Sequence, residues 1–369
     1  MPNVSSQVKI SAPRHFLESQ WFERYQQLTM PPDALALVLR PVLQLLAQRK
    51  SESDVAPLRI SALIFAGDHG VVQNHPVSAF PQAVTAQMLI NFLTGGAAMS
   101  VLCAARSSPL YVCDVGVATA YPSEGLQTKK HVTFFDRNLV RSAAGEYPHG
   151  AKDLSLEPAL SSDMFTAAFA VGKEIFNQVY AKDQPDAVIL GEMGIGNTTS
   201  AAALISYLLD MPPSVVVGAG TGISNEQKVT KERVVEKAIE RYRNSGSGFS
   251  PESTLANLGG FELAAMAGAA CEAVSKGVHI LLDGVIVTAA LLPFALAQKE
   301  FSEWLISCHQ SAEPAHQHAL AAMGLTPLLS LSLRLGEGSG AALAAGMLQD
   351  GFKLLSEMAT FQQAGVSQA

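Results

Sequence analysis

The stretch Ala187-Val-Ile-Leu-Gly-Glu-Met-Gly-Ile-Gly-Asn-Thr-Thr199, running on into the Ala-rich segment 200–209, decides the fold. Its first four residues form a short apolar run, which predicts a buried strand. The glycines mark a tight turn, and apolar residues at helical spacing then predict a helix over 198–209. Asn197, Thr198 or Thr199 is the expected cap, and the free N–H groups of that helix end suit an anion such as phosphate. The same texture recurs along the chain. Strands are predicted at Ile60–Phe65, Leu110–Val115, Ala187–Leu190, Val215–Val217, His279–Leu282 and Leu305–Cys308. Helices are expected over 84–104, 163–181, 198–209, 225–243, 259–274, 285–297 and 314–323. Strands joined by crossover helices imply a doubly wound, mainly parallel α/β sheet of six strands. Residues 1–57 read as an N-terminal helical segment, with apolar spacing near 3.6 from Leu35 to Leu46. With part of the C-terminus, where 351–369 reads as a helix and tail, it forms a small subdomain on the α/β domain of 58–350.

The 369 residues are 48% hydrophobic and only 15% charged, with mean hydropathy +0.21. That is ample for a large core, and so little charge implies more apolar surface than a monomer needs, so homo-oligomerisation is expected. Net charge is −7 and no Lys/Arg block occurs, which argues against nucleic acid as a partner. Cys103, Cys113, Cys271 and Cys308 show neither a CxxC pair nor metal spacing, so reduced thiols in a cytoplasmic protein are expected. The first sixteen residues lack the apolar segment of a signal peptide. The run Val278–Ala297 is nearly long enough to cross a membrane, but Asp283-Gly284 and Pro293 make it a buried strand turning into a buried helix, and no membrane contact is expected.

Several predicted strands end in chemically suggestive tails: Ala66-Gly-Asp-His-Gly70, Gly191–Thr199, Gly218-Ala-Gly-Thr-Gly222, Asp283-Gly284 and His309-Gln-Ser-Ala-Glu313. In an open α/β sheet such tails converge on the crevice beyond the carboxyl ends of the strands. The stretch Leu331-Ser-Leu-Arg-Leu-Gly-Glu-Gly-Ser-Gly-Ala-Ala-Leu343 adds Glu337 between Gly336 and Gly338, above a helix for which Ser339 is the expected N-cap. Gly336, Gly338 and Ala341 satisfy GxGxxA, yet a carboxylate among them would repel a pyrophosphate. No Walker loop is present, and Gly191–Thr199 fails the dinucleotide fingerprint at Thr199. Lys228, at the start of a helix, is placed to reach a phosphate as a point charge. Asp68-His69 is expected to pair structurally with backbone groups, since no third metal ligand has suitable spacing. His309, His316, His318 and Glu313 resemble a metal cluster only on paper, because His316 and His318 diverge on a helix. No two acidic residues are adjacent, which disfavours a magnesium pyrophosphate donor.

Together, Asp68-His-Gly70, Val84-Thr-Ala-Gln-Met88, Gly191–Thr199, Lys228, Leu258-Gly-Gly-Phe261, Leu282-Asp-Gly284, His309–Glu313 and Arg334-Leu-Gly-Glu-Gly-Ser-Gly340 resemble, in order, the nicotinate-nucleotide–dimethylbenzimidazole phosphoribosyltransferase family. That resemblance implies a Rossmann-like sheet, a small helical domain and a dimer. It places the general base on Glu337 and a second acidic residue on Glu192. Phosphate and ribose contacts fall on Gly194, Asn197, Thr198, Lys228, Gly220 and Ser311, and base contacts on Ser78, Gln87, Met88 and Leu335. Two stretches depart from the family pattern, Met30–Ala36 and Arg137–Pro158.

The implied reaction moves the 5-phosphoribosyl group of nicotinate mononucleotide to 5,6-dimethylbenzimidazole or a related base. The donor's ring nitrogen is already cationic and leaves neutral, so neither metal nor cofactor is implied. The acceptor must lose a proton as it attacks, which is work for a carboxylate. Two other readings remain at this level: a relative that binds benzimidazoles without turnover, and a nicotinamide-dependent oxidoreductase built on the GxGxxA match.

Overall fold

The computed structural model of the chain describes residues 10–51, 54–122, 128–136 and 150–367. Six strands form one parallel sheet: β1 (Ile60–Gly67), β2 (Leu110–Gly116), β3 (Val132–Phe135), β4 (Ala187–Met193), β5 (His279–Leu282) and β6 (Leu305–Ser307). Their order is β3-β2-β1-β4-β5-β6. The chain builds outward from β1 in one direction and from β4 in the other. The order therefore reverses between those two strands, where a crevice must open at their carboxyl ends.

A parallel sheet covered on both faces needs strands that are apolar throughout. In β1 all eight residues are buried. Leu63 and Phe65 enter one core, while Ala62, Ile64 and Ala66 enter the other. Helices α5 (Ser162–Asp183), α6 (Asn197–Leu209), α7 (Asn225–Asn244), α8 (Pro251–Leu258), α9 (Phe261–Ser275), α10 (Val285–Ala297) and α11 (Pro314–Ala322) contribute to the first core. The second is covered by α1 (Gln20–Gln27), α2 (Ala36–Ala47), α3 (Ala83–Thr94), α4 (Ala98–Ala105) and α12 (Ser339–Glu357).

The two chain ends pack together. The Arg24 guanidinium donates to the carbonyls of Leu355, Ser356 and Met358 at 2.7, 3.0 and 2.8 Å. The Trp21 and Phe352 rings lie 6.0 Å apart. Where α2 ends, buried Arg49 pairs with buried Asp186 at 2.8 Å, fixing the helical segment to the start of β4. Such a buried pair specifies position more than it adds net stability.

Three expectations are corrected. Val215–Val217 is not a strand: Pro213 occupies the first position of a one-turn helix, Pro213–Val216, which its fixed φ favours. The sixth strand is instead β3, a short edge strand in a stretch where the sequence predicts neither strand nor helix. The helix expected over 84–104 is two, because Gly95 ends α3 in the left-handed region at φ 88°. The apolar run Val278–Ala297 is β5 followed by α10, which is buried from Val285 to Ala295. Beyond the main sheet, β7 (His309–Ser311) and β8 (Leu329–Leu333) form a separate parallel pair that carries the chain toward Glu337.

Candidate active site

A cleft of about 530 Å³ opens beyond the carboxyl ends of β4 and β5, to one side of the point where the strand order reverses. The Ala66–Gly70 tail of β1, expected from the sequence to reach this cleft, does not line it. Its walls come from the loops after β4, β5 and β7 and from the end of β8, with Phe80 and Gly220-Thr221 at its edge. The size suits a small ligand. Glu192, Gly194, Asn197, Thr198, Gly220, Ser311 and Leu335, all singled out in the sequence, line it together.

Just behind the wall at Gly336 lies Glu337. Gly336, Glu337 and Gly338 are all left-handed, at φ 83°, 64° and 85°. For a glutamate this costs on the order of 1 kcal/mol or more, so the surroundings must hold it. Asp283, at the end of β5, does so: its carboxylate accepts the Gly338 N–H at 3.1 Å and the Ala341 N–H at 2.9 Å. The Glu337 N–H donates to Glu192 Oε1 at 3.3 Å. Gly338, not Ser339, is the N-cap of α12, and the Ser339 hydroxyl donates to the Gly336 carbonyl at 2.7 Å. A carboxylate from another strand does the capping that the sequence assigned to serine.

The Glu337 side chain is only 6% exposed and its Oε2 has no partner among the described residues. Burial pushes its carboxyl up to about 7; the charge of Asp283 adds to this and a hydrogen bond from the Met99 backbone opposes it. Glu192 is pushed up to about 8, chiefly by burial and further by the charges of Asp283 and Glu262, against the Glu337 N–H and Asn197. Two carboxyls pushed up toward neutrality by burial, one accepting the backbone N–H of the residue that carries the other, make this a candidate site for proton and cation chemistry.

The turn after β4 departs from expectation in one detail. Gly196, left-handed at φ 103°, is the N-cap of α6, and Asn197 is its first residue. That frees the Asn197 amide to donate to Glu192 Oε2. Thr198 Oγ1 instead accepts from Lys231 Nζ at 2.8 Å. Lys231 is fully buried, and burial lowers its ammonium to about 8, with the charge of Glu313 opposing. Glu313 Oε1 accepts the Gly220 N–H at 2.9 Å, which joins the Gly218–Gly222 tail to this cluster.

The family model described as "Phosphoribosyltransferase" matches residues 10–366 of the chain. The chain belongs to this phosphoribosyltransferase family. Among curated relatives it is similar to a nicotinate-nucleotide–dimethylbenzimidazole phosphoribosyltransferase of Bradyrhizobium diazoefficiens, 39% identical over 93% of this chain and 92% of that one. A protein of the same name from Ectopseudomonas mendocina is 40% identical over 96% and 95%. Among solved structures, CobT from Thermus thermophilus superposes with TM-score 0.83 at 38% identity, covering 95% of this chain and 98% of that one. A second structure from that organism, of nicotinate-nucleotide–dimethylbenzimidazole phosphoribosyltransferase, gives 0.82 at 37%, with 97% and 100% covered.

In this phosphoribosyltransferase, Lys228 is not brought to the cleft; it is half-exposed and lies 3.9 Å from Glu232. The lysine beside Thr198 is Lys231, which sequence reading passed over. Its signal was present: Lys231 falls on the stripe of Val234, Val235, Ala238 and Ile239 that buries α7. Ser78 lies outside the cleft wall, its hydroxyl 3.3 Å from Thr221 Oγ1, while the Ala79 N–H donates to the same oxygen at 2.9 Å. Gln87 is exposed on α3 and Met88 half-buried there, and neither borders the cleft. His316 spends both ring nitrogens, accepting the Ser311 N–H at 2.8 Å and meeting Thr288 Oγ1 at 2.9 Å. Among the described residues no group of three His, Cys, Asp or Glu is placed to hold a metal. The GxGxxA match does not make a dinucleotide site, because Asp283 occupies the N–H groups that a pyrophosphate would need. Of the departing stretches, residues 137–149 lie outside the described residues, as do 1–9 of the N-terminal segment.

Proposed function

We propose that this enzyme transfers the 5-phosphoribosyl group of nicotinate mononucleotide to 5,6-dimethylbenzimidazole or a related base, giving α-ribazole 5′-phosphate and nicotinate by a single inverting displacement. The observation that carries the mechanism is Glu337: a buried carboxyl with one unpartnered oxygen, pushed up to about 7, on a turn pinned by Asp283 and Glu192. A general base works best when its pKa lies near the working pH.

The acceptor nitrogen attacks the anomeric carbon while the bond to the pyridinium nitrogen breaks, and that electron pair stays with nicotinate. The acceptor's other N–H then becomes strongly acidic and passes its proton to Glu337. Burial favours the neutral form of Glu192. A cationic donor favours its ionised form, which then stabilises the positive charge that grows on the sugar. Lys231, Thr198 and the Gly194 turn supply the phosphate side, with Ser311 and Gly220 on the ribose side. The names carried by relatives support the substrates, and the cleft supports the division of roles.

We also infer a cytoplasmic homodimer. The four free thiols support the compartment. A recess of about 1210 Å³ at the chain ends, lined by Phe16, Phe22 and Tyr25 among others, supports a second copy as the cover. Light scattering on the purified enzyme reads the dimer directly. The reaction is tested by following nicotinate released from nicotinate mononucleotide with and without dimethylbenzimidazole. Release that depends on the acceptor supports the proposal; none in its presence refutes it.

A further inference from the structure

The Asp68-His69 tail of β1 does not line the cleft, yet the turn that does line it is docked on this tail residue by residue. A Cβ on Gly194 would collide with the Gly67 carbonyl oxygen. One on Gly196 would sit 3.0 Å from the Cβ of His69. Between them, the Ile195 N–H donates to Thr85 Oγ1 at 3.1 Å. The Thr85 hydroxyl in turn donates to Asp68 Oδ1 at 2.5 Å, and Asp68 Oδ2 accepts the Ala118 N–H at 2.8 Å. On the far side of the turn, Ser200 Oγ lies 3.0 Å from His69 Nδ1, and His69 Nε2 lies 2.5 Å from Glu262 Oε1. Thr85, Asp68, His69, Ser200 and Glu262 are all 1% exposed or less.

A buried polar network of this extent adds little stability over apolar packing, so its value lies in the geometry it enforces. Thr85 is the pivot. Only a group that both donates and accepts can take the Ile195 N–H and give a proton to Asp68, and a hydroxyl is the smallest that can. The tie fixes the direction in which the Gly194–Thr198 backbone enters the cleft, and therefore where Gly194, Asn197 and Thr198 face a ligand. Thr85 lies on α3, two residues before Gln87, so the helix that the family resemblance gives to the acceptor base also anchors the donor turn.

We propose that Thr85, oriented by Asp68, is a positioning residue for donor binding that acts through the Ile195 N–H; this rests on the reading of the cleft as a nicotinate mononucleotide site. Thr85→Val keeps the shape of the side chain and removes the hydroxyl, whereas Thr85→Ser keeps the hydroxyl. The expected result is a KM for nicotinate mononucleotide raised about tenfold or more in Thr85→Val. The KM for the acceptor changes little, while the melting temperature falls because the buried Ile195 N–H and Asp68 lose a partner. Thr85→Ser restores the melting temperature and returns the donor KM to within about threefold of wild type. Should Thr85→Val not fold, Ser200→Ala removes the other arm of the bracket, and calorimetric titration with nicotinate mononucleotide reads the same weakening. Wild type that binds the donor while Thr85→Val binds it equally well overturns the positioning role alone. So does a Val variant in which both KM values rise and kcat falls together without rescue by serine. Wild type that fails to bind the donor overturns the reading of the cleft, and this proposal with it.

Discussion

Replacing Glu337 by glutamine removes the ability to accept a proton while keeping side-chain size and the left-handed turn. General-base assistance contributes about 10²–10⁴-fold, so kcat should fall by that factor, about 3–5 kcal/mol of transition-state stabilisation. Donor binding should persist, because the phosphate contacts lie elsewhere. The same substitution should stabilise the fold at alkaline pH. Burial raises the carboxyl from its ordinary 4.5 to about 7. The folded state therefore holds this proton more tightly than the unfolded chain, and stability falls as pH rises from about 4.5 through about 7. Above that window the ionised carboxylate costs on the order of 3 kcal/mol, from about 1.4 kcal/mol per tenfold in proton affinity. Glutamine stays neutral and escapes this cost. Thermal melts at pH 5 and pH 8 should show a Glu337→Gln advantage that is large at pH 8 and small at pH 5. Stopped or coupled assays of nicotinate release should show wild-type kcat falling below about pH 7. A variant with near wild-type kcat, or with no stability gain at pH 8, would refute the reasoning.

Three further outcomes follow from the same geometry. If Lys231 serves the phosphate as proposed, it must be protonated to do so, and burial has lowered it to about 8, so the wild-type donor KM should rise as pH is raised through about 8. Lys231→Met should show a donor KM at least about tenfold higher at pH 7 and little affected by pH, as read by steady-state titration of the donor. Lys228→Ala should leave the donor KM within about twofold of wild type, since that ammonium faces Glu232 at the surface. Asp283→Asn replaces a carboxylate that serves two N–H groups by an amide with one acceptor, which should cost about 1–3 kcal/mol of stability in denaturant titrations. It should also lower kcat more than either KM, because the turn it holds carries the base.

How much of this is legible in the sequence depends on whether the determinant is local. Strands β1, β2, β4, β5 and β6 are buried on both faces and announce themselves as apolar runs. Strand β3 does not, because a four-residue edge strand with half-buried side chains needs no such run. Val215–Val217 misleads for the opposite reason: three β-branched residues read as strand, but the preceding prolines set a helical turn. In the site, Glu337 and Glu192 stand out because glycines beside a carboxylate have few structural explanations. Asp283 as the cap of α12 is invisible, since it acts from a strand fifty-five residues earlier in the chain. Lys231 is passed over in favour of Lys228 when closeness to the helix start is weighed above the buried stripe. Asp68-His69 reads as structural, and its partners prove to be mainly side chains on α3, α6 and α9 rather than backbone groups.

The configuration of the product tests the account most directly. Nicotinate mononucleotide of β configuration, incubated with the enzyme and 5,6-dimethylbenzimidazole, should yield one equivalent of nicotinate for each ribazole phosphate. NMR of the anomeric proton should show the α-nucleotide alone. A β-product, or nicotinate formed at the same rate without any acceptor, would contradict a direct displacement in which Glu337 deprotonates the incoming base.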